Sequence, residues 1–135
     1  MAFKNYLGCI ATAIAACAIA FSAHADAVSD FYSGRTISIM VGFRPGGGYD
    51  VYARAIARHL GAHVPGRPTV VVQNMPGAAG LGLANSLYNV SPKDGTVFGT
   101  FNRTIPLEPL LEGSKAQFDP VKFSWIGSPS NEISA

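Results

Sequence analysis

Cysteine is nearly absent from this chain, and the two that occur, Cys9 and Cys17, both fall near the amino terminus. From Asp26 onward there is no thiol for a disulfide, a metal centre or a nucleophile, so that part must depend on an ordinary packed core. Charge is scarce and balanced. Beyond Asp26, nine Lys or Arg face eight Asp or Glu, and nothing in that balance suggests nucleic acid. Several signature motifs are missing as well. A phosphate loop needs Lys after Gly47, where the chain has Gly48-Tyr49, and a dinucleotide fingerprint started at Gly46 needs glycine where Val51 stands. Ser33, Ser38 and Ser86 lack the Gly-x-Ser-x-Gly elbow of a serine nucleophile. His59 and His63 are four apart, but the glutamate of a His-Glu-x-x-His site is missing and Gly61 lies between them, so surface or packing roles are expected. No catalytic residue, metal or cofactor is indicated.

The one long apolar run comes first. Lys4 gives a positive start, Tyr6 to Phe21 is uncharged, and Ala23-His24-Ala25 is a small-x-small cleavage pattern. This predicts a cleavable signal peptide over residues 1–25 and export to the periplasm. A membrane anchor is the competing reading, although the run is short of the roughly 20 residues that span a bilayer. Lipid attachment at Cys17 is a second alternative, disfavoured because Ala-Ile-Ala-Phe follows it rather than a polar tether.

Asp26 to Gly34 reads as a polar lead-in. Thr36 to Val41, Thr69 to Gln73 and Thr96 to Phe101 are β-branched or apolar runs of strand length. Between them, Asp50 to about Ala62 and Leu81 to Tyr88 carry apolar residues at helical spacing, and Ile105 to Leu111 reads as a short helix with Pro106 near its start. The consecutive valines Val70 to Val72 suit a strand buried on both faces. Strand and helix in alternation predict an α/β fold, a parallel sheet flanked by helices. Trp125-Ile126-Gly127 reads as a further strand approaching the core.

The turns from strand into helix then lie at the carboxyl edge of the sheet, where open α/β sheets bind ligands. Gly42 to Asp50 contains three successive glycines, which let a ligand approach the backbone closely. The helix behind adds unpaired first-turn N–H groups and the positive end of its dipole, together a site for a carboxylate or phosphate. Asn74 to Gly80 repeats the device after the second strand. Thr100 and Asn102 sit at the same edge. Arg54 and Arg58, four apart on one helix, read as a solvated face.

With Ile37 to Val41, Phe43, Pro45-Gly46-Gly47-Gly48, Asp50, Ala53-Arg54, Val70 to Val72, Asn74, Pro76-Gly77-Ala78, Gly80, Asp94-Gly95, Thr100, Phe118-Asp119-Pro120 and Ile126-Gly127 in this order, the chain resembles the substrate-binding proteins of tripartite tricarboxylate transporters. The resemblance implies a two-lobed, type II periplasmic binding protein, monomeric and not an enzyme. It would hold a small carboxylate, such as a di- or tricarboxylic acid or an amino acid, and deliver it to a membrane permease. It also implies a protein of roughly two to three times this mature length, so that residues 26–127 form part of the first lobe and 128–135 a truncated crossover toward a second.

By the same resemblance the ligand-binding set is Phe43, Arg44, Gly46, Gly47, Gly48, Tyr49 and Asp50 in the first turn. In the second it is Asn74, Pro76, Gly77, Ala78, Ala79 and Gly80; Thr100 and Asn102 join the candidate set from their place at the carboxyl edge just past the third strand. Asp50 would reach the ligand or its water, or act only as a first-turn helix acid. Arg44, Tyr49 and Ala79 depart from the family pattern: Arg44 adds a cation, Tyr49 narrows the pocket and Ala79 tightens the second turn. Two alternatives stay open: an α/β phosphate-ester or nucleotide enzyme using the turns as a phosphate site, and a truncated fragment that binds nothing.

Overall fold

A computed structural model describes residues 27–129. The expected leader over 1–25, with both cysteines and the cleavage point, and the tail from residue 130 onward lie outside the described residues.

Three strands, β1 (Thr36–Val41), β2 (Thr69–Asn74) and β3 (Val97–Thr100), form an all-parallel sheet in the order β2-β1-β3. Helix α2 (Gly48–His63) joins β1 to β2, and α3 (Leu81–Asn89) joins β2 to β3. The first connection moves outward from the central strand and the second returns across it to the far edge, so connections of the right hand usual for parallel strands put the two helices on opposite faces. The alternation of β1 fits this. Ile39 and Val41 are buried and pack with Ala53, Ala57 and Leu60 of α2. On the other face, Gly99 lets α3 come close: a Cβ there would lie 2.5 Å from Leu87 Cδ1. A second cluster, Ala84, Ile105 and Phe118, closes the α3 side with Leu81, Tyr88, Phe101 and Phe123. Burying side chains such as Ile39 or Leu83 is worth about 1.5–3 kcal/mol each.

Four expectations change. Residues 27–32 are helical (α1) rather than an irregular lead-in. Tertiary contacts account for it: the Tyr32 hydroxyl donates to Gly95 O at 3.2 Å, and a Cβ on Gly66 would lie 2.3 Å from Ser29 O. Val70, Val71 and Val72 are half-buried rather than covered on both faces, because β2 is an edge strand. Ile105–Leu110 is a 3-10 helix, as Pro106 opens it and Pro109 within it removes a donor. Trp125 to Gly127 is not a strand. Trp125 instead donates from Nε1 to Pro120 O at 3.0 Å, with its ring edge-on to Phe101, and Ile126 stays exposed.

Candidate functional site

The chains leaving β1 and β2 start side by side, because Val41 is in register with Asn74 and Met75 N–H donates to Val41 O at 2.8 Å. The second loop then crosses the end of β1 to begin α3 beside β3. At the crossing the backbones touch. A Cβ on Gly42 would lie 2.9 Å from Gly80 Cα, and one on Gly80 would lie 2.7 Å from Phe101 Cβ. Gly80 also has φ of 98°, so packing and backbone conformation alone require glycine there.

Gly47 and Gly48 are different. Gly47 has φ of −80°, and a Cβ would meet only Arg44 O at an ordinary 3.7 Å. At Gly48 a Cβ would meet nothing within 4 Å. The fold would accept a side chain at either position. What the missing Cβ atoms do is leave the first turn of α2 uncovered, and no side chain caps that helix or α3. Residues 44–49 and 75–79 are all exposed, so the two loops form an open lip.

Beneath the lip, Asp50 is 2% exposed and ties both loops together. Its Oδ2 accepts from Gly46 N–H at 2.9 Å and from Arg54 Nε at 2.8 Å, and its Oδ1 accepts from Asn74 Nδ2 at 2.9 Å. Asn74 Nδ2 also donates to Phe43 O at 3.0 Å, while Arg54 Nη2 donates to Asn74 Oδ1 at 3.2 Å. Arg54, then the Gly46 amide and then Asn74 hold the Asp50 carboxyl well below the usual carboxylate range. The same contact raises the Arg54 guanidinium.

This geometry redistributes the expected site residues. Asp50 and Asn74 bond to the loops themselves rather than projecting from them. Arg54, expected on a solvated face, is the ion-pair partner of Asp50, and the signal for it was the Asp-x3-Arg spacing with the acid first. The N–H groups of Gly46 and Gly80 are engaged, by Asp50 and by Gly77 O respectively. Among the described residues those of Gly47, Gly48, Tyr49, Gly77, Ala78 and Ala79 remain for a ligand. Phe43 packs against the Ile39–Val41–Ala53 core and stacks on Tyr49, ring centroids 4.3 Å apart and 10° from parallel. Tyr49 thus extends that aromatic stack. Ala78 and Ala79 hold φ of 44° and 53°, left-handed values costing about 1–2 kcal/mol each in residues other than glycine and characteristic of functional loops. Arg44 and Pro76 are exposed on the lip. Thr100 O accepts from Gly42 N–H, and Asn102 Oδ1 caps the following turn through Thr104 N–H at 3.1 Å.

Among the described residues no group of three or more His, Cys, Asp or Glu could hold a metal ion, and no helix is long and apolar enough to cross a membrane. Two grooves lie away from the lip. One, of about 350 Å³, is lined by Arg54, Ala57, Arg58, Val70 and Val72. The other, of about 500 Å³, lies between Pro106, Leu110, Phe118 and Val121.

No family model matches the chain. It is similar to the UPF0065 protein in gbd 5′ region of Cupriavidus necator, with 33% identity over 113 residues. The alignment covers 84% of this chain and 33% of that protein, so the chain spans about a third of its relative's length. UPF0065 is the substrate-binding family of tripartite tricarboxylate transporters, and the match supports the resemblance at that level.

Proposed function

We propose that this chain carries one wall of a carboxylate-binding cleft in an exported solute receptor, which hands its ligand to a membrane permease of the tripartite tricarboxylate type. One observation carries the proposal: Gly47 and Gly48 are bare where the fold does not need them to be, directly over the unpaired first-turn amides of α2. A carboxylate set there would take charge-assisted hydrogen bonds from Gly47, Gly48 and Tyr49 and sit at the positive end of the helix dipole. The amides of Gly77 to Ala79 on the adjoining loop would hold a second oxygen, with Thr100 and Arg44 tuning which acid is accepted.

The similarity to a UPF0065 protein supports a binding protein over an enzyme, since UPF0065 is a family of binding proteins. In this reading residues 1–25 direct export and are removed, and residues 26–127 belong to a first lobe. A second lobe, approached through 128–135, closes over the exposed lip and excludes water. The ligand is a di- or tricarboxylate or an amino acid, the receptor works as a monomer, and no bond is made or broken.

Gly47→Val tests this. The φ of −80° and the 3.7 Å clearance admit the added Cβ, and valine at a helix N-cap costs about 1 kcal/mol relative to glycine, so circular dichroism should resemble the parent's and melting should fall by only a few degrees. Calorimetric titration with citrate, succinate and glutamate should lose the heat seen with the parent. If the variant titrates normally, the loop is only a connector.

A further inference from the structure

An acid in the first turn of a helix already occupies the favourable end of the dipole. Asp50 is such an acid, and it is buried directly under the lip proposed to receive a second carboxylate. Two negative groups at one helix end repel each other, and because the lip above Asp50 is open to solvent that repulsion weakens as salt is added. A cation must offset Asp50 before the site can favour an anion.

We infer that Arg54 is the positioning residue that sets the electrostatic sign of the glycine-loop site, cancelling the charge of Asp50 so that a ligand carboxylate is accepted above it. This rests on the proposed binding function. Three observations support it. Arg54 is the ion-pair partner of Asp50 among the described residues, with Nε 2.8 Å from Oδ2. It sits four residues after the acid on the same helix, the favoured order, and Nη2 reaches Asn74 Oδ1, so the charge is fixed relative to both loops. Its side chain is 49% exposed and helps line the groove between α2 and β2, so it acts through Asp50 rather than by touching the ligand. Because Asp50 is held ionised far into acid, its charge is present whenever a ligand carboxylate is.

The test uses the full chain, its Arg54→Met and Arg54→Lys variants, and the double variant Asp50→Asn with Arg54→Met. Methionine keeps the apolar stem and removes only the charge. Each is titrated with citrate, succinate and glutamate at about 10 mM and about 300 mM sodium chloride, where screening is weak and strong respectively. Arg54→Met should bind on the order of tenfold more weakly at low salt and recover most of that at high salt, as unmasked repulsion is screened. Arg54→Lys should keep the parent's salt dependence. The double variant should regain low-salt affinity because neither charge remains. An Arg54 that merely braces the loop would lose affinity equally at both salts and would not be rescued by removing the Asp50 charge; that result overturns the inference, as does parent-like low-salt binding by Arg54→Met. If the parent chain takes up none of citrate, succinate and glutamate, the binding function itself fails and this inference with it.

Discussion

Gly48→Ala separates a glycine kept for the fold from one kept for a ligand. Gly48 is the first residue of α2, and an added Cβ meets nothing within 4 Å. Replacing an unstrained glycine by alanine narrows the unfolded ensemble and stabilises a protein by about 0.4–1 kcal/mol. For a domain of this size that is roughly 2–8 °C in melting temperature. The same methyl group stands over the amides that the proposed carboxylate would use. Losing one hydrogen bond to a charged partner weakens binding by about 1.5–3 kcal/mol, or roughly ten- to a hundredfold in Kd. The variant should therefore be more stable and bind worse, with urea unfolding and calorimetric titration run on one preparation. Unchanged binding would refute the ligand role of the lip. Lowered stability would refute the claim that the fold leaves that position free.

The identical chemical change at Gly80 should act oppositely. A left-handed alanine costs about 1–2 kcal/mol and the 2.7 Å approach to Phe101 Cβ adds about 1–3 kcal/mol of overpacking, so Gly80→Ala should lower urea-unfolding stability by about 2–5 kcal/mol. A loss under about 1 kcal/mol contradicts the tight crossing. Asp50 predicts a pH effect: its folded pKa is depressed, so its contribution is complete above the ordinary Asp value of about 3.9, starts to decline below it and disappears only as pH falls through the much lower folded value. Asp50→Asn should melt lower than the parent at about pH 7, with the gap narrowing progressively as pH falls from about 4 to about 2. Parallel melting curves across that range would show that the charge on Asp50 does not support the fold.

The sheet was legible because its signal is local. Thr36–Val41 and Thr69–Asn74 are apolar, β-branched runs between glycine and proline punctuation, and their parallel pairing follows from the helices between them. Strand position was not legible: three consecutive valines look alike in a central strand and at the edge, so the half-burial of β2 depends on order, which no local pattern encodes. Residues 27–32 are helical through contacts with Gly66 and Gly95, far along the chain. Within the site, the glycine turns were readable as devices, but not which glycines serve the crossing and which serve the lip. That distinction rests on atoms brought from Phe101 and from the other loop. Arg54 was misjudged for a related reason, since an i,i+4 pair reads as surface decoration until its acid is known to be buried.

The ties among Asp50, Asn74 and Gly46 bear on the thermodynamics of capture. Because a buried carboxylate and an amide side chain already lock the two loops to each other, a guest need not freeze them on arrival. The ordering entropy is met during folding rather than during association. Such preorganised contacts would let a small, heavily hydrated solute be held by a few main-chain groups at little further cost in ordering.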